Sequence, residues 1–290
     1  MLSLCVAVLL ACAAGAAADG QRFERGLLWQ VSRPGVAPSH IYGTVHLADP
    51  RLLPLRAPVA DAFRGARRFV MEMRPDDYAG QRFFEGGQFE DGQRLDRLLD
   101  AGTFGRLAGR LGSRGFDAET VRRLKPWAAL LVLTARPRQT EGVSLDRELY
   151  VQARMRRLYL EELDSVEEQL AVFDGVPLAS QVALLQFYLV HEEQLAGVAE
   201  RTLQAYLARD LKALWRVNRD LEAGDGELAR HQAVLEKKVI HDRSVVMAFR
   251  MQPFLRRGGA FVAIGALHLY GDKGVLRLLE QDGWRVKRVD

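Results

Sequence analysis

His40-Ile41-Tyr42-Gly43-Thr44-Val45-His46, near one end of the chain, and Phe261-Val262-Ala263-Ile264-Gly265-Ala266-Leu267-His268, near the other, decide how this sequence is read. Each is a short run rich in strand-favouring residues that ends in Gly-x-x-His. A glycine at a strand end lets the backbone turn tightly or approach a neighbour closely, and the histidine then points out from the sheet edge. Two imidazoles delivered in the same way from two distant strands predict one shared site. In a chain with 26 Gly the spacing alone carries little. The strand context carries the inference.

Working outward, residues 26–31 and 39–43 read as two strands joined by a turn around Pro34-Gly35. After Pro54 a short amphipathic helix is expected over 57–63. An apolar strand follows in Arg68-Phe69-Val70-Met71-Glu72-Met73, whose end places a single carboxylate. Strand, helix and strand of this size read as a βαβ unit, whose parallel strands present functional side chains at one carboxyl edge. His46 and Glu72 are then expected as neighbours.

From about 93 to 240 the periodicity turns helical, with breaks at Gly112, Gly115, Pro126, Pro137, Gly175, Pro177 and Gly224. Residues 125–134 and 180–195 read as strongly apolar helices, the second with Gln181, Gln186 and Glu192 on its polar side. Arg157-Leu158-Tyr159-Leu160 reads as a short strand returning to the sheet. The C-terminal part restores the opening pattern: helix 239–255, strand 261–264, helix 274–281 and strand Trp284-Arg285-Val286. The fold class expected is α/β (α+β), a central mixed sheet from N- and C-terminal βαβ-type halves with a large helical middle region. Residues 19–290 form a single domain on this reading.

Residues 1–18 carry no charge and run from an apolar stretch into Ala16-Ala17-Ala18 before Asp19, the pattern of a secretory signal with an A-x-A cleavage site. An exported, periplasmic or secreted protein is therefore expected. A second reading takes Leu9-Leu10-Ala11-Cys12 as a lipobox, with Cys12 lipidated and the protein tethered to a membrane. Both cysteines, Cys5 and Cys12, fall in this leader, so the mature chain offers no disulfide, thiol nucleophile or Cys-ligated metal. A net charge of +4 spread over many Arg, with no basic run interleaved with aromatics, argues against nucleic acid as a partner. The partner expected is a peptide or small molecule.

Two histidines and one carboxylate recur as the ligand set of a catalytic divalent metal that keeps positions open for water and substrate. His46, His268 and Glu72 are the metal-ligand candidates, with Glu72 open to either role, ligand or general base. His40, His191, His231 and His241 lack the Gly-x-x setting and read as structural or surface residues. Arg243, in His241-Asp242-Arg243-Ser244, reads on composition alone as an exposed helix charge. Asp146, after Gly142-Val143-Ser144-Leu145, reads either as a site residue or, as is usual for a carboxylate at a helix N-terminus, as a charge that stabilises the helix dipole, and Asp164 and Glu168 are similarly ambiguous.

Taken as a set, these motifs resemble the TraB/GumN family, which is related to the TIKI metalloproteases and more distantly to ChaN-like and erythromycin-esterase-like folds. The likeness rests on Leu28-Trp29, Gly43-Thr44-Val45-His46-Leu47, Val70-Met71-Glu72, Ser144-Leu145-Asp146, Val166-Glu167-Glu168-Gln169, Arg243 with Met247, and Val262 to Leu269 with Gly271 and Gly274. It implies a metal-dependent, peptidase-like hydrolase site built from His46, Glu72, Arg243 and His268, with a divalent ion such as Mn, Co or Zn. It also lifts Arg243 to a catalytic candidate beside Glu72, a cation able to hold a substrate carboxylate or an oxyanion. Where the family has Arg-Asn this chain has Arg243-Ser244, and where the family has Leu-Glu-Thr it has Leu163-Asp164-Ser165. The competing expectation is a non-catalytic envelope protein that sequesters a peptide or small ligand in the same cleft.

Overall fold

The structure is a computed structural model and describes residues 23–134, 143–195, 197–219 and 226–290. The expected leader, with Cys5 and Cys12, lies outside the described residues. Six strands form one mixed sheet: β1 (Leu28–Ser32), β2 (Ser39–Thr44), β3 (Arg68–Met71), β4 (Tyr159–Glu162), β5 (Ala260–Gly265) and β6 (Arg285–Arg288), in the order β4-β3-β5-β2-β1-β6. β1 pairs antiparallel with β2 and with β6, whereas β2, β5, β3 and β4 run parallel. The hairpin, the β-helix-β step through Ala57–Arg64 and the mixed α/β class are all as the sequence predicts.

The order of the central strands differs. β2 and β3 are not adjacent, because β5 inserts between them, pairing Ile41 with Val262 on one side and Val70 with Val262 on the other. The reason lies in burial. Every residue from Ala260 to Ile264 is at most 4% exposed, and a strand apolar on both faces belongs where both faces are covered. β4, in contrast, is polar and partly exposed along its length and takes the edge, two residues later than expected.

Phe261 fills the centre of the main core, with ring centroids 5.2 Å from Phe63, 5.9 Å from Tyr42 and 6.3 Å from Phe69. Phe261→Ala is expected to cost about 3–5 kcal/mol of stability, as large-to-small changes in fully buried sites do. Urea unfolding of the two proteins measures the difference.

A second core lies in the helical layer, where Leu95, Leu107, Leu111, Trp127 and Leu185 pack. Helix begins earlier than expected, at Asp77, because the Asp76 carboxylate accepts from the Ala79 N–H and caps it. The apolar helix expected over 180–195 runs Leu178–Val190, and Gln181 is buried in it, donating to the Val176 carbonyl at 2.7 Å, instead of facing solvent. The helix expected over 239–255 is broken into a π-helical turn Lys237–Asp242, a helix Arg243–Arg250 and a short helix Gln252–Arg257. Pro253 explains the last break, since it offers no N–H and its ring clashes with the carbonyl four residues back. Among the described residues no single helix is long and apolar enough to cross a membrane.

Candidate active site

At the carboxyl edge of the sheet, β2 and β5 leave side by side with Thr44 opposite Gly265. The two Gly-x-x-His turns are therefore neighbours in space although 222 residues separate their histidines, from 46 to 268. Their glycines serve different ends. A Cβ on Gly43 would lie 2.6 Å from Leu269 Cδ1 and 3.1 Å from the Ala266 Cα, so the bare backbone is what lets the 3-10 turn Ala266–His268 pack over β2. A Cβ on Gly265 would instead lie 3.2 Å from Glu72 Oε1, 3.5 Å from His268 Cδ2 and 3.8 Å from His46 Nε2. Three of the expected site residues converge on that one point.

Glu72 follows β3 and reaches across the end of β5. Its Oε1 accepts the Gly265 N–H at 2.5 Å and stands 3.7 Å from His268 Nε2, while Oε2 accepts Arg243 Nη2 at 2.7 Å. Burial alone pushes this carboxyl up. The positive partners His268, Arg243 and His46, with the Gly265 N–H, outweigh it and hold Glu72 down at about 2. Arg243 is clamped on its other side by Asp164, whose Oδ2 accepts from Nε at 3.0 Å and Nη2 at 2.9 Å. Burial raises the Asp164 carboxyl even against that guanidinium. Arg250 then binds the Leu163 carbonyl at 2.6 Å and Glu168 Oε2 at 2.7 Å, and Glu168 closes a capping box with Ser165.

The histidines are held unequally. His46 Nδ1 lies 2.9 Å from Asp146 Oδ2, and Asp146 Oδ1 accepts the Thr44 hydroxyl at 2.6 Å. The Asp146 charge raises His46 to about 9. With 70% of its side-chain surface open, that shift comes from the carboxylate and not from seclusion. His268 is 3% exposed, and burial lowers it to about 4. Its Nδ1 lies 2.9 Å from Ser244 Oγ.

Asp146→Asn removes the charge while keeping the shape. It is expected to bring His46 down from about 9 toward the ordinary 6.5, because the anion that raises it most is lost. Ring-proton NMR titration of His46 in the two proteins reads the shift.

His46, Glu72, Arg243 and His268 are thus brought together as the sequence predicts, though His46 and Glu72 meet across β5 and not on adjacent strands. Arg243, an exposed helix charge on composition alone, is 11% exposed at the side chain and buried in the ion pair. The structure adds Asp146, Asp164 and Ser244. Asp146 lies in the first turn of helix Leu145–Met155, capped by Ser144, with its carboxylate turned to Thr44 and His46 instead of to the helix end. The other described histidines stay apart: His40 lies at the start of β2, His191 stacks on Phe187, His231 meets Ser180, and His241 meets Glu236.

The groups that meet around Gly265, the His46 Nε2, the His268 ring and one carboxylate, are of the types that suit a borderline divalent ion, and each imidazole is braced through Nδ1 as metal-binding histidines are. Their spacing is another matter. Among the described residues no group of three or more His, Cys, Asp or Glu is drawn together so as to hold an ion, and both oxygens of Glu72 are engaged by Gly265 and Arg243.

A mixed sheet with paired Gly-x-x-His turns and a strand-end glutamate at its carboxyl edge defines the class, and the chain belongs to the TraB/PrgY/gumN family, whose sequence pattern matches residues 27–288. It is also similar to a protein of Danio rerio named Metalloprotease TIKI2, 24% identical over 321 residues that cover 93% of this chain. The chain spans 62% of the length of that relative. No solved structure matches it.

Proposed function

We propose that this protein is an exported hydrolase that cleaves a peptide or related amide bond at the Gly265 crossing point. The observation that carries the reading is the convergence of Glu72, His46 and His268 on one glycine, with Arg243 held against the far oxygen of Glu72. The Metalloprotease TIKI2 likeness supports it, and the apolar, uncharged residues 2–10 support export.

Each residue has a part in this reading. Gly265 N–H and Arg243 pin the Glu72 carboxylate so that it cannot rotate away. Asp146, steadied by Thr44, ties His46 through Nδ1 and leaves Nε2 as the reactive nitrogen, turned toward the Gly265 crossing point. Arg243 brings a cation to the site floor, where charge that develops on a carbonyl oxygen is best met by a preorganised donor. His46 and His268 would hold a divalent ion only by closing from the spacing seen here, with Glu72 beside them as ligand or general base, and the ion would supply Lewis acidity toward water and the scissile carbonyl.

The test is cleavage of a fluorogenic peptide library by the purified protein, with Mn, Co or Zn added and with chelator. His46→Ala and His268→Ala are each expected to lower turnover by about 100-fold or more. Peptide retention without cleavage, equal in both variants and wild type, would make the protein a sequestering one instead.

A further inference from the structure

We propose that Ser244 is a positioning residue that fixes His268 as the tautomer protonated on Nδ1, so that its Nε2 lone pair faces Glu72 and the Gly265 crossing point. That this tautomer serves catalysis rests on the hydrolase reading. The tautomer itself does not.

A serine hydroxyl has a single hydrogen to donate and two lone pairs to accept with. Ser244 Oγ lies 2.7 Å from the Ile240 carbonyl and 2.9 Å from His268 Nδ1. A carbonyl can only accept, so the hydroxyl hydrogen goes to Ile240, and toward the imidazole Ser244 presents a lone pair. Nδ1 thus faces an oxygen whose own hydrogen is already committed, and an unprotonated Nδ1 would set lone pair against lone pair. A neutral imidazole carries one N–H, which leaves Nε2 bare. That nitrogen stands 3.7 Å from Glu72 Oε1.

The local fold makes this possible. The π-helical turn Lys237–Asp242 ends where helix Arg243–Arg250 begins, and there two consecutive residues serve two different partners: Arg243 turns to Glu72 and Asp164, and Ser244 turns to His268. π-helical turns are frequent at functional sites because they displace side chains from the regular register. Ser244 is 1% exposed, so no water competes for its hydroxyl. The two Gly-x-x-His turns, alike in sequence, are therefore unlike in chemistry: one ring leans on an anion, the other on a neutral hydroxyl.

The experiment is a two-bond proton–nitrogen NMR spectrum of the histidine rings of the full-length, metal-free protein at neutral pH, with the His268 signals assigned by their loss in His268→Gln. The expected result is the Nδ1–H pattern for His268 in wild type and in Ser244→Thr, which keeps the hydroxyl. In Ser244→Ala that pattern should be lost or mixed with the Nε2–H pattern, which free imidazole favours. Thermal melting of each variant confirms that it is folded. An Nε2–H pattern in wild type, or an unchanged pattern in folded Ser244→Ala, overturns the proposal. Should Ser244→Ala fail to fold, the wild-type spectrum alone decides. A wild-type Nδ1–H pattern in a protein that cleaves no peptide would sink the hydrolase reading and leave this one standing.

Discussion

Glu72→Gln is expected to abolish hydrolysis and to destabilise the metal-free protein by about 2–3 kcal/mol. The loss comes from charged hydrogen bonds, each worth about 1.5–3 kcal/mol when made to an ionised group. It stays below the roughly 3–5 kcal/mol that follows when a buried ion pair loses one member outright, because Asp164 still holds Arg243 through Nε and Nη2. The pH dependence has a definite sign. The folded-state value of about 2 lies below the ordinary 4.5, so the contribution of Glu72 is fully present above 4.5 and is lost as pH falls through 2. Urea unfolding across that range should show wild type and variant converging toward the acid end. A gap that stayed constant with pH would mean that the carboxylate charge does not stabilise the fold.

The second large effect separates function from stability. Gly265 has φ −54° and ψ 134°, which any residue adopts, so Gly265→Ala meets no backbone strain. Its Cβ would stand 3.2 Å from Glu72 Oε1 and 3.5 Å from His268 Cδ2, crowding the point where the site side chains meet. Activity should fall by about 100-fold, the scale of a 1 Å misplacement of reacting groups, while the thermal midpoint moves little. Gly43→Ala should behave in the opposite way. There the added methyl meets Leu269 and the Ala266 backbone, which cannot swing aside, so overpacking of about 1–3 kcal/mol falls on the fold itself. Measuring melting and turnover on both alanine variants checks the contrast, and equal behaviour would defeat the distinction drawn between the glycines.

The sheet strands and the meeting of His46, Glu72 and His268 were legible because their signals are local, whereas Arg243 on composition alone reads as an exposed helix charge. A β-branched run, a glycine at its end and a histidine three residues on are all contained within eight positions. What stayed hidden is what depends on partners far along the chain. Nothing in Arg68 to Glu72 says that β5, almost 200 residues later, will lie between it and β2; that follows from burial on both faces, a property of the assembled sheet. Asp146 read as a helix-end charge because its neighbours Ser144 and Leu145 announce a helix start, and its real partner, His46, lies 100 residues away. Asp164 is one methylene shorter than the family's glutamate, yet it reaches Arg243 with two hydrogen bonds, since its backbone is drawn in by its own N–H to the Glu72 carbonyl at 2.8 Å. The π-helical turn has no composition signal at all: Lys237-Lys238-Val239-Ile240-His241-Asp242 would serve equally in an α-helix.

Because β5 is the strand that joins the β1-β2 side of the sheet to the β3-β4 side, the order of synthesis matters to this protein. A chain emerging from its N-terminus makes His46 and Glu72 early and must hold β2 and β3 without their shared neighbour until residue 260 appears. Pairings of such long sequence separation form slowly. The site thus comes together only when the last tenth of the polypeptide has been made, and any fragment cut short before His268 lacks one of its two imidazoles however well its helices form.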